Sequence, residues 1–187
     1  MKETKRAPAI GDRITYAWHA EALTIVIGQK ISRTARWALE GWMVAWLVIG
    51  VIFLDQMLKV QGDERLFLSI CMAFWTFFAF RVFKVILWRR IGQEMIRISS
   101  EGMSVKNAFG TWGKAQFFLL ENIQKMMVIR RNPEKFLQTL DQSFWIMGGD
   151  TLEFAHLGKT FVLGKQLSER DAKALAKLID QALRKFK

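Results

Sequence analysis

The side chains able to carry chemistry are few and scattered. His19 and His156 are the only histidines and lie far apart in sequence, and Cys71 is the only cysteine. Zinc ligation or histidine-based acid–base catalysis needs such groups clustered, so no metal site and no catalytic constellation is expected. One thiol also excludes a disulfide within the chain. Gly110-Thr111-Trp112-Gly113 and Gly148-Gly149-Asp150 have the glycines of hairpin turns, not of a phosphate loop opening a helix. With no nucleotide fingerprint or nucleophile motif present, the sequence predicts a protein without a cofactor and without enzymatic activity.

Two further groupings point to binding. Arg89, Arg90, Arg97, Lys125, Arg130, Arg131 and Lys135 are candidates for a face against anionic lipid headgroups, each worth about 1 kcal/mol near such a surface. The competing reading is a solvated flank that only sets membrane orientation. Trp112, Met126, Met127 and Trp145, with Met147, are candidates to line an adaptable partner groove, or else to fill a core. A formal charge of +11 raises the question of nucleic acid. Residues 91–187, however, carry 15 Lys and Arg against 10 Asp and Glu, too even a balance for a basic binding stripe. No nucleic-acid partner is expected.

The elements that must position these groups begin with residues 37–90. Two apolar runs, about 38–58 and 66–88, are separated by a short polar stretch, and each approaches the roughly 20 residues that cross about 30 Å of hydrocarbon. Trp37, Trp42 and Trp88 lie near the ends of the runs, where amphipathic rings favour the interface. Arg81 and Lys84 sit where long stems snorkel to the headgroups. A transmembrane helical hairpin is therefore expected, with Gly41 and Ala45 facing Ser69, Ala73 and Thr76 as its small-residue contact. Lys and Arg crowd both outer flanks, whereas Lys59 and Arg65 in the connection are balanced by Asp63 and Glu64. The positive-inside rule then places both termini in the cytoplasm of a multi-pass inner-membrane protein.

Residues 1–36 read as a basic leader followed by an amphipathic segment leading into the membrane. For 13–36 the residues leave two descriptions open. Leu23-Thr24-Ile25-Val26-Ile27 suits a strand, whereas Trp18, Ala22 and Ile25 with Gln29 and Arg33 mark one face of an interfacial helix. Residues 91–187 read as a cytoplasmic domain of short strands over 95–99, 103–107, 115–120, 123–129, 143–147, 151–156 and 159–163, with a short helix near 132–140. Ser168 and Asp171 then open a C-terminal helix whose Leu175, Leu178, Ile179, Ala182 and Phe186 form one apolar stripe. The fold class expected is membrane α+β: a two-helix hairpin, then an antiparallel β domain closed by a helix.

Ser100-Glu101-Gly102-Met103, followed by Phe117-Phe118-Leu119-Leu120-Glu121-Asn122-Ile123-Gln124-Lys125-Met126, resembles the bacterial pleckstrin-homology-like (PH-like) pattern. A membrane hairpin ahead of such a domain is similar to the YcxB-like bacterial membrane proteins, and in element order to the photosystem I assembly factor of chloroplasts and cyanobacteria. The resemblance covers 37–187 and carries over no functional residue, because its matching positions are strands and turns. It implies an assembly factor or accessory subunit of a larger inner-membrane complex. Its partners would be other integral membrane subunits, and a homo-oligomer is also allowed. The alternative is a module that recognises anionic lipid headgroups.

Overall fold

The computed structural model describes residues 8–29, 31–129 and 149–187. Both apolar runs are helices, and each is longer than its uncharged centre. Helix α1 (Arg33–Lys59) starts at Ser32, whose hydroxyl accepts the Ala35 N–H at 3.1 Å. That N-cap satisfies one of the helix's free donors. Helix α2 (Gly62–Ile91) has Asp63 and Glu64 in its first turn and Arg89 and Arg90 in its last, both complementary to the helix dipole. Only Val60 and Gln61 separate the helices, so most of the polar connection is helical.

The helices touch along a seam of alternating four- and three-residue steps, as in coiled coils. On α1 the residues withdrawn from the surface include Leu39, Met43, Trp46, Gly50, Phe53 and Met57; on α2 they include Leu68, Met72, Trp75, Ala79, Val82 and Ile86. The expected small-residue contact is not this seam, since Gly41, Ala45, Ser69, Ala73 and Thr76 are all exposed. Tryptophans take the contact instead. Trp75 Nε1 donates to Trp46 O at 2.9 Å, Trp46 Nε1 donates to Trp75 O at 3.4 Å, and the two rings stack. A Cβ on Gly50 would lie 2.1 Å from the Trp75 ring, so only glycine leaves room for it.

Three strands precede the hairpin, β1 (Ala9–Ile10), β2 (Ile14–Trp18) and β3 (Ala22–Gly28). Three follow it, β4 (Gly92–Ser99), β5 (Gly102–Phe109) and β6 (Ala115–Phe118). All six form one antiparallel sheet in chain order. Strand β3 pairs with β4 from Ala22↔Ser99 to Gly28↔Gln93, so the hairpin is inserted between neighbouring strands of one sheet. Residues 9–28, read from sequence as part of a separate leader, therefore supply half the strands of that sheet. Of the two descriptions open for 13–36, the strand holds over 22–28, where Leu23, Ile25 and Ile27 alternate inward.

A second antiparallel sheet contains β7 (Met127–Val128), β8 (Asp150–His156) and β9 (Lys159–Lys165). The strand expected over 123–129 is interrupted. Ile123 bridges His156 and Met127 pairs with Glu153, four steps on one side against three on the other. The extra residue is a bulge. It turns Met126 inward, and the Met126 N–H points to Asp180 Oδ1 at 3.4 Å.

Helix α3 (Glu169–Phe186) is capped as expected: Ser168 Oγ accepts the Asp171 N–H at 3.1 Å. Its buried stripe of Ala172, Leu175, Ile179 and Ala182 joins one core with Ile25, Ile96, Phe154 and Leu163 from both sheets. The layout is thus two long apolar helices, antiparallel sheets and a C-terminal helix. The helix expected near 132–140 and the strand at 143–147 lie outside the described residues.

Candidate functional site

Among the described residues, the densest polar chemistry lies where the hairpin meets the β domain. Helix α2 passes into β4 without a linker, and a Cβ on Gly92 would fall 2.3 Å from Trp88 O and 2.5 Å from its ring. Trp88 is itself buried and meets Phe109 edge-on at 5.2 Å. The chain therefore turns from helix to strand over a fixed indole.

On the other side of this junction stands Arg13, just before β2. Its Nε donates to Gly28 O at 2.9 Å, its Nη1 to Gln166 O at 2.6 Å, and its Nη2 to Lys165 O at 3.0 Å and Gln29 Oε1 at 3.3 Å. One guanidinium thus ties the end of β3 to the end of β9. Burial pulls Arg13 below the ordinary arginine value, while Glu94 and Asp171 oppose the shift. Arg89, at the end of α2, donates from Nη1 to Gln166 Oε1. Gln166, with a φ of +50, receives both arginines.

Glu94 completes the junction from β4 and is 1 % exposed. Its Oε2 accepts the Gly164 N–H at 2.9 Å and the Lys165 N–H at 3.3 Å, satisfying backbone that Gly164, with φ +75, turns out of the regular ladder. Burial pushes the Glu94 carboxyl above the ordinary glutamate value; the Lys165 charge and these two N–H groups pull it down, and Asp150 adds to the rise. Lys165 also pairs with Asp150 at 2.9 Å.

A carboxyl held above its ordinary value binds its proton more tightly in the folded chain than in the unfolded one. The stability it supplies is full below the ordinary value and is lost as pH rises through the raised one. Glu94→Gln keeps an acceptor oxygen and removes this dependence. Its stability relative to wild type is therefore expected to improve as pH rises across that window, as an unfolding series over pH would read out. Glu94→Leu leaves two buried N–H groups without an acceptor and should cost about 2 kcal/mol relative to the glutamine variant.

The basic residues considered for a lipid face are dispersed. Arg89 is buried in the junction, and exposed Arg90 donates from Nη2 to Glu40 Oε1 at 2.8 Å. Arg97 is exposed on the outer face of β4, opposite Thr24 and Ser104, five residues and about 16 Å from Gly92. Arg130, Arg131, Lys135 and Trp145 lie outside the described residues. The partner-groove candidates separate likewise. Met126 is buried, Met127 is half exposed beside a groove of about 900 Å³ rimmed by Lys125 and Lys173, and Trp112 stands on the β5–β6 turn.

Among the described residues no three His, Cys, Asp or Glu converge on a possible metal position. His156 packs edge-on against Phe118 at 5.3 Å, and His19 sits in the β2–β3 turn. The junction that sequence reasoning missed had one visible signal. Glu94 occupies an inward position in the alternation with Ile96 and Ile98, where a carboxylate must find donors. Chemically, the arrangement joins the hairpin to the β domain through buried, directional bonds.

No family model and no curated protein matches this chain.

Proposed function

We propose that this protein is a non-enzymatic, membrane-anchored interaction protein, an assembly factor or accessory subunit of a larger inner-membrane complex. Its hairpin docks on other integral membrane subunits, and a PH-like domain serves as the cytoplasmic docking module. The observation that carries this reading is the hairpin's surface. The most apolar windows of α1 and α2 are only 11 % and 6 % buried, although both helices are long and apolar enough to cross a membrane. A helix pair apolar all round needs lipid or other helices against it.

Two further observations support the details. Pairing of Gly28 with Gln93 brings the two ends of the hairpin together, which supports a topology with both flanks on one side. The Lys and Arg count of those flanks favours the cytoplasmic side. Two antiparallel meanders closed by a C-terminal helix support the PH-like description. Arg89 and Arg90 are engaged within the chain and Arg97 stands apart, which favours protein docking over specific headgroup recognition.

The test is to solubilise native membranes gently, retrieve the protein by a tag at its C-terminus, and identify what co-migrates on a native gel. A stoichiometric membrane complex is expected. A particle of this chain and lipid alone would reject the accessory-subunit reading.

A further inference from the structure

Building on the membrane-spanning reading of the hairpin, we propose that the β5–β6 turn is a second membrane contact. There Trp112 lays its indole into the headgroup–acyl boundary of the same bilayer. The first step is to find the level of that boundary. Trp75 against Gly50 fixes the register of the two helices, so Glu40 stands level with Val85, and the long Arg90 side chain reaches back to Glu40 at 2.8 Å. From Glu40 to Lys59 α1 rises about 28 Å at 1.5 Å per residue, close to the roughly 30 Å of a hydrocarbon core. Glu40 and Val85 therefore mark the cytoplasmic edge of the hydrocarbon, and Arg90, five residues or about 8 Å further along α2, stands at headgroup depth.

The turn is held at that headgroup depth. Ile91 follows Arg90, is 48 % exposed, and accepts the Gly110 N–H on its carbonyl at 3.0 Å. Gln93 Nε2 donates to Gly110 O at 3.2 Å. Phe109 and Trp112 exchange N–H···O bonds of 2.7 and 3.1 Å around Gly110 and Thr111. Trp112 thus rides on a closed two-residue turn tied to the last turn of α2.

Trp112 is 82 % exposed, the barest large apolar side chain among the described residues. An indole at the boundary buries its ring in acyl chains and keeps its N–H among headgroups. Lys106 Nζ donates to Thr111 O at 3.2 Å and adds a positive charge beside the ring, complementary to anionic headgroups. The occupant is lipid because the turn continues the α2 surface that the bilayer covers. Leu157, 69 % exposed, lies at the opposite end of the domain. It precedes β9, which runs about 20 Å before Lys165 reaches Glu94 near the membrane.

Single cysteines at Thr111, Leu157 and Phe74, in a Cys71→Ser background, would carry an environment-sensitive fluorophore. The full chain would be reconstituted into phosphatidylcholine–phosphatidylglycerol vesicles containing lipids with a nitroxide high on the acyl chain. The Phe74 label should be quenched, the Thr111 label quenched several-fold more than the Leu157 label, and Trp112→Ala should bring the Thr111 signal down to the Leu157 level. A Thr111 label no more quenched than the Leu157 label, beside a quenched Phe74 label, overturns the proposal and leaves the hairpin reading standing. Shielding of Thr111 from aqueous iodide without quenching by lipid also overturns it, because a protein then covers the turn. An unquenched Phe74 label would remove the hairpin reading and this contact together.

Discussion

Gly50→Ala is expected to weaken the hairpin by about 3 kcal/mol, more than a change at an exposed position of either helix would. The added methyl meets the Trp75 ring at 2.1 Å, with the indole already bonded to the opposite backbone and unable to slide without releasing it. Moving Trp75 therefore also gives up the return bond from Trp46 and the ring stack. Helix–helix hydrogen bonds in membranes average about 0.6 kcal/mol, so most of the loss is steric. Trp75→Leu should cost less than the glycine change, and Gly50→Ala combined with Trp75→Leu should cost less than the sum of the two. Unfolding of the purified chain in mixed detergent micelles would measure all three; strict additivity would show that the ring and the glycine do not compete for the same space.

Arg13→Ala is expected to be worse still for the β domain, at about 4 kcal/mol. It leaves the carbonyls of Gly28, Lys165 and Gln166 without their donor and opens the joint between the strand entering the hairpin and the end of β9. It also removes a charge that faces Glu94. Arg13→Lys should recover little, because an ammonium cannot reproduce a planar fork that reaches three carbonyls and an amide. The two changes separate by region. Loss at Arg13 should speed amide hydrogen exchange across the β strands and leave that of α1 and α2 in place, whereas loss at Gly50 does the reverse. Equal shifts in both signals from either variant would mean that hairpin and domain unfold as one unit.

The two helices were legible because an uncharged apolar run has little else to become. Their true lengths were not, because Asp63 and Glu64 read as a polar loop whereas, at a helix N-terminus, they are favourable caps of the dipole. The seam was misassigned for a related reason. Small residues suggest close backbones, but Trp46 and Trp75 bury more surface and satisfy their own N–H groups by crossing to the opposite helix. Strands β4, β5, β8 and β9 followed from alternation and their Gly turns, whereas β3 stayed ambiguous because its partner β4 lies beyond the whole hairpin. At the junction only Glu94 was visible. Arg13 and Gln166 meet across 153 positions, and no local pattern announces such a pair.

The insertion of the hairpin between β3 and β4 has a consequence for biosynthesis. The ribosome delivers β1, β2 and β3 first, with the edge of β3 unpaired and Arg13 lacking its acceptors on β9. That edge stays open while both apolar helices are made, since β4 emerges only afterwards. A chain whose second helix fails to fold back along the first cannot zip the seven rungs of β3 against β4, and its half-sheet remains a target for chaperones and proteases. Completion of the sheet is therefore a built-in checkpoint on assembly of the helical hairpin.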